Sequence, residues 1–206
     1  MPSDPPRRRY DSLRRTLQAQ ATSAEIAHAA RRLFVAQGWA ATTVREVARE
    51  AGVSAPTVYS AYGSKTGLVQ AIVDAADLSA DGPRMLAELD AAAGDPPRQL
   101  AAMAGYDRRL FERAADVIAL VREAGRTEPE LATTYRDARR RADDVRVQVF
   151  TSWPDGTLRD DLDTAVDVYA ALCTIDVFTT FTTERGWSPD RVEKWWATTL
   201  SRELLA

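Results

Sequence analysis

The sequence predicts an all-α protein in two parts: an N-terminal three-helix domain built on a helix-turn-helix, then a larger helical domain. Three observations predict it. Alanine-rich segments with apolar residues at i, i+3, i+4 and i+7 recur along the chain, and no alternating strand pattern stands out. Gly and Pro are modest, 10 each in 206 residues, which favours helix. Between 43 and 62 the chain writes a short helix, a three-residue turn and a second short helix. The expected organisation is a disordered basic arm and the start of the first helix at 1–20, the helix-turn-helix domain at 21–68, and the larger helical domain at 69–206.

The first helix runs from Leu13 or Ser23 to Gln37, with Ile26, Ala29, Ala30, Leu33 and Phe34 on one face. Gly38 stops it as a left-handed cap would, and Trp39 packs back. The second helix starts at Thr42 or Thr43, because Thr43 and Glu46 have capping-box spacing. Val44, Val47, Ala48 and Ala51 form its buried stripe, and Gly52 ends it. Ser54 caps the third helix, and Pro56 falls in the first turn, where its missing N–H has no partner to lose. Val53 and Val58 have the spacing of a hydrophobic staple. Gly63 terminates this helix, and a fourth spans about 65–78.

Turn signals at 81–83 and 94–97 bracket a short helical piece. Helical patterns follow at about 97–124 and 128–152, with Gly105 and Gly125 as expected breaks. A long apolar helix is expected over 161–185 and a last one over 189–205. No run of about 18 apolar residues reads as a membrane span. The N-terminus lacks the apolar segment of a secretory signal. Cys173 is the only cysteine, so no intrachain disulfide or thiol metal cluster forms. These features together point to the cytoplasm.

Net charge is −3, yet it is segregated. Residues 1–65 hold 10 Lys+Arg and 5 Asp+Glu, whereas 66–206 hold 17 and 25. A basic first third suits a phosphate-bearing partner. The stretch AGVSAPTVYSAYGSK at 51–65 has no acidic residue. In a helix-turn-helix the second helix enters the major groove. Hydroxyls such as those of Ser54, Thr57, Tyr59 and Ser60 donate to phosphate oxygens, small residues let the backbone approach, and Lys65 adds a charged contact.

The run TTVREVAREAGVSAPTVYSAYGSKTGLVQAI at 42–72 carries a resemblance. Residues 22–76 resemble the DNA-binding domain of the tetracycline-repressor-like (TetR) family. The matching positions are Thr43–Val44, Ala48, Gly52–Val53–Ser54, Tyr59, Ala61–Tyr62, Lys65 and Leu68. Two positions depart from the usual form: Ala61 stands where His or Tyr is common, and Pro56 where small or polar residues are frequent. The resemblance implies phosphate contacts from Thr43, Tyr59 and Lys65, and a groove-facing set of Ala55, Pro56, Thr57 and Ser60. Tyr62 either touches the DNA backbone or packs under the third helix. Arg45 either contacts phosphate or is simply exposed. Arg7, Arg8, Arg9, Arg14 and Arg15 either reach the minor groove or form a solvated tail.

The resemblance also implies a helical ligand pocket and a homodimer formed through the last two helices. A two-fold dimer fits a palindromic operator with half-sites about 34–36 Å apart, or a multiple of that. Candidates to orient a small-molecule effector are Tyr106, Arg122, Tyr169 and Asp176, with Met103, Phe111, Cys173 and Phe178 as lining. Asp176, a carboxylate in an apolar helix, either pairs with an arginine, meets a cationic ligand or faces solvent. No catalytic residues, metal ligands or cofactors are expected: His28 is the only histidine, and no Gly-rich phosphate loop or nucleophile elbow occurs. The expected function is a DNA-binding transcriptional regulator, a homodimeric repressor released by a small molecule. The alternative is an architectural or partner-controlled DNA-binding protein without an inducer.

Overall fold

The computed structural model describes residues 6–206, without the side chains of 6–17, 77 and 78. Among the described residues every named element is helical: α1 (Pro6–Ala41), α2 (Val44–Glu50), α3 (Ala55–Tyr62), α4 (Lys65–Ser79), α5 (Gly82–Ala91), α6 (Pro96–Ala124), α7 (Pro129–Thr151), α8 (Leu162–Leu172), α9 (Ile175–Thr179), a π-helical turn (Thr180–Glu184) and α10 (Pro189–Leu204). One isolated bridge joins Leu158 and Leu205. The chain divides into two units, 1–72 and 73–206, with the division inside α4, at 72 rather than 68.

In the first unit, Ile26, Ala29, Ala30 and Phe34 of α1 are buried with Val47 and Ala48 of α2, Val58 of α3, and Leu68 and Val69 of α4. Each Val, Leu, Ile or Phe side chain among these removed from water contributes about 1.5–3 kcal/mol. Gly38 breaks α1 with φ +79°, and Trp39 stacks on Phe34 with ring centroids 5.6 Å apart. α1 is helical from Pro6, within the stretch 1–20 where a disordered basic arm and the start of the first helix were expected. Proline suits the first helical position, since its φ is preset and its lost N–H has no helical partner. The side chains of Arg7, Arg8, Arg9, Arg14 and Arg15 lie outside the described residues.

The second unit is organised on α6, which packs with α5, α7, α9 and α10. Its core includes Leu100, Tyr169, Trp196 and Leu200. Phe111, Phe178 and Trp196 form an aromatic triangle with centroids 6.0–6.1 Å apart. α6 runs unbroken through Gly105, against expectation. That glycine is buried, and a Cβ there would meet only side-chain atoms at 3.4 Å or more. Gly125 does end α6; a Cβ there would lie 3.0 Å from backbone atoms of Ala132 and Val121.

The single helix expected over 161–185 is broken. Cys173 leaves helical geometry, and Thr174 caps α9 by accepting a hydrogen bond from the Val177 N–H at 3.2 Å. Leu162–Glu184 as a whole is long and apolar enough to cross a membrane, contrary to the sequence expectation that nothing reads as a span. Length and composition are weak evidence, however. The stretch is interrupted at 173–174, and Ala165, Val166, Tyr169, Cys173, Ile175 and Phe178 are buried in the core of the unit.

Candidate nucleic-acid interface and effector cavity

Local capping shapes the exposed surface of the first unit. Thr43 closes a reciprocal capping box: its Oγ1 accepts from the Glu46 N–H at 3.2 Å, and its own N–H donates to Glu46 Oε2 at 2.8 Å. These bonds hold the Glu46 carboxyl below its usual range. Gly52 turns the chain with φ +67°, and the Val53 N–H donates to Ala48 O at 2.9 Å. Ser54 then caps α3, its Oγ accepting from the Thr57 N–H at 3.3 Å and sharing a hydrogen bond with Thr57 Oγ1 at 2.8 Å. The result is a two-turn helix anchored inward by Val58. Pro56, Thr57, Tyr59 and Ser60 are exposed, Tyr59 to 52%, and Ala55 is half-buried. Thr43, Arg45 and Ser54 are exposed beside them.

Two of the predicted contacts turn inward. The Tyr62 hydroxyl donates to Ser23 O of α1 at 2.6 Å, and burial pushes its pKa up. That packing against α1 agrees with the second of the two sequence readings of Tyr62. The Lys65 ammonium donates to Trp39 O at 2.5 Å and lies 4.0 Å from the centroid of the Trp39 ring. A carbonyl just past the Gly38 break thus receives a cation, as carbonyls at helix C-termini commonly do. Both side chains therefore brace the first unit from inside.

The second unit holds two cavities that share Asp107, Leu110, Ala138, Ala142 and Arg146. Their empty volumes, counted with the mouths open to solvent, are about 800 and 760 Å³. Phe111 and Cys173 line the first; Met103, Tyr106 and Tyr169 line the second. The remaining candidates lie elsewhere. Arg122 and Asp176 pair with each other at 2.7 Å on the surface, with side chains 43% and 68% exposed. Phe178 is buried in the aromatic triangle. For Asp176 the arginine pairing is the reading realised, and Arg122 holds its carboxyl low.

At the partition between the lobes stands a buried polar cluster. Tyr169 OH donates to Asp107 Oδ2 at 2.9 Å, and Arg146 Nη2 stands 3.9 Å from the same oxygen. Arg146 also bonds Asp143, and its guanidinium lies over the Tyr169 ring at 4.6 Å. Burial raises the Asp107 pKa to about 6, with Arg146 and the Tyr169 hydroxyl pulling it back. Burial, reinforced by Asp107, pushes Tyr169 and the Cys173 thiol up, so Cys173 is a poor nucleophile at neutral pH. Among the described residues no group of three or more His, Cys, Asp or Glu side chains could hold a metal ion.

Residues 26–72 match the family model described as bacterial regulatory proteins, tetR family. The matched segment, 26–72, is therefore of the tetR family. The relatives that support this are transcriptional regulators, not enzymes. HTH-type transcriptional regulator AlkX of Mycobacterium tuberculosis is 34% identical over 107 residues, 52% of this chain and 49% of AlkX. The chain thus spans about half the length of that relative. A putative transcriptional regulator from Saccharomonospora viridis, solved in complex with choline, superposes with TM-score 0.72 at 20% identity. The match covers 91% of this chain and 99% of that one. NalD of Pseudomonas aeruginosa, the secondary repressor of the MexAB-OprM multidrug efflux pump, gives TM-score 0.70 at 20% identity, with 91% and 98% covered. At such identities the superpositions establish the fold.

In the second unit, sequence reasoning missed Asp107 and Arg146. A signal for each existed. Asp107 lies on the α6 face marked by buried Leu100, Met103, Ala104, Phe111 and Ala114, and Arg146 lies beside buried Val149 and Phe150 on α7. A charged residue inside an apolar stripe needs a partner. Which residue supplies it emerges only when the two helices pack.

Proposed function

We propose that the protein is a homodimeric transcriptional repressor that binds a palindromic operator and is released from it by a small molecule held in the second unit. The observation that carries this reading is α3: a short, acid-free helix, fixed by caps at its start, with Thr57, Tyr59 and Ser60 exposed together. In this reading Thr43, Arg45, Ser54 and Tyr59 engage phosphates. Ala55, Pro56, Thr57 and Ser60 meet the groove. Tyr62 and Lys65 act chiefly by holding α3 and α4 against α1. The two-lobed cavity takes the effector; the S. viridis protein, a chain of this fold, was solved in complex with a small molecule, choline. Dimerisation through the last two helices and a cytoplasmic location go with the same reading.

Binding-site selection on random duplex DNA with the full chain tests it. The expected product is a palindrome whose half-sites lie about one helical turn apart, or a multiple of that. Thr57→Ala is expected to change the preferred bases by about 1–3 kcal/mol of discrimination at one position per half-site. Recovery of no common sequence, or of the same sequence with unchanged discrimination, would contradict the assignment of α3.

A further inference from the structure

The two lobes are largely apolar, with Tyr106 and Asp107 of α6 and Tyr169 of α8 among the polar lining, and every basic lining residue lies on α7. Arg139 and Arg146 of α7 line the first lobe, and Arg141 and Arg146 line the second. Asp107 is the one carboxylate among the lining residues of either lobe. Counting lining residues alone, each lobe therefore carries more guanidinium than carboxylate even with Asp107 ionised; Arg146 also bonds Asp143, outside the lining, and burial favours the neutral form of Asp107. Nor does Asp107 offer a cation an open partner. Its Oδ2 already accepts the Tyr169 hydroxyl, and a cation approaching it would meet Arg146 on the same wall. Arg146 Nη2, at 3.9 Å from that oxygen, is beyond hydrogen-bond distance, so the pair is held by charge alone. A planar guanidinium recognises an oxyanion through paired N–H donors, and does so most strongly where water is scarce.

We propose that this cavity takes amphipathic anions: an oxyanion head against Arg146 and Arg139, and an apolar body against Leu110, Phe111 and Val117. The assignment rests on the cavity being the effector site and names the chemical class of effector. It makes Arg139, at the exposed end of the wall, a specificity-determining residue.

Three probes with one eight-carbon chain test it by calorimetric titration of the full-length protein at pH 7.5: octane-1-sulfonate, 1-octanol and octyltrimethylammonium. The sulfonate stays charged, so the comparison isolates the head group. The sulfonate is expected to bind about tenfold tighter than the alcohol, and the ammonium more weakly than the alcohol. Arg139→Gln is expected to weaken the sulfonate about fivefold and leave the alcohol within about twofold, with the melting temperature unchanged. Arg146→Gln is expected to weaken the sulfonate further, with its fold checked by circular dichroism. Ammonium binding as tight as sulfonate binding, or a sulfonate-to-alcohol ratio that Arg139→Gln does not move, overturns the anion assignment and leaves the cavity standing as an effector site. Failure of all three probes to bind overturns both.

Discussion

Asp107 occupies a position where the α6 pattern asks for an apolar side chain, and its proton carries a measurable consequence. Burial moves its pKa from 3.8 to about 6 in the folded chain. The folded state then binds this proton more tightly than the unfolded state does. Stability from this group is present below about pH 4, falls as pH rises to about 6, and is level above that. A shift of this size corresponds to about 3 kcal/mol. Asp107→Asn keeps an acceptor for the Tyr169 hydroxyl and removes the titration. Urea unfolding of both proteins between pH 4 and 7 should show wild type losing up to about 3 kcal/mol relative to the variant. A pH-independent difference would exclude Asp107 as the source. Cys173, which shares the first lobe, titrates too high to contribute in this window.

Element by element, legibility in the sequence followed the range of the forces. The second and third helices could be read because their signals are local: the Thr43–Glu46 box, the Ser54 cap, and glycines with positive φ at 52 and 63. Their exposed face could be read for the same reason. The break at 173–174 was obscured because apolar periodicity continues across it, and a single Thr174 cap overrides that pattern. The inward turn of Tyr62 and Lys65 was not decidable, since their partners, Ser23 O and Trp39 O, lie on a distant segment. Asp107 and Arg146 were missed because they acquire meaning only as a pair.

The junction of α3 and α4 adds a close approach that no sequence pattern marks. A Cβ on Gly67 would stand 2.0 Å from the Tyr62 carbonyl oxygen, a backbone atom that cannot swing aside. Gly67→Ala is therefore expected to destabilise the protein by about 1–3 kcal/mol, although alanine is the better helix former by about 1 kcal/mol. Gly82, with nothing within 4 Å of such a Cβ, is the control; Gly82→Ala should be neutral or slightly stabilising. Equal melting temperatures for Gly67→Ala and wild type would show that α4 can shift freely at its start.

At the scale of the whole molecule, charge is partitioned, and the sign of the total misleads. The chain is net −3, yet its first 65 residues hold twice as many basic as acidic residues. At physiological salt a charge is felt over about 8 Å, so a bound duplex responds to the surface it touches and little to the acidic remainder. Association with DNA should then be steeply salt-dependent despite the negative total. Each neutralised phosphate contributes about −0.9 to the slope of log K against log salt on B-form DNA. Arg45 is exposed on α2 beside the Thr43 cap. Arg45→Ala should reduce the slope by about one and weaken specific and random duplexes alike, because a phosphate contact positions without reading sequence. Fluorescence anisotropy of labelled operator and random duplexes between about 50 and 200 mM salt measures both effects. A flat salt response of the wild-type chain would remove the electrostatic basis for DNA binding. An unchanged slope in Arg45→Ala would instead leave that residue solvated, with the phosphate contacts made by other groups around α3.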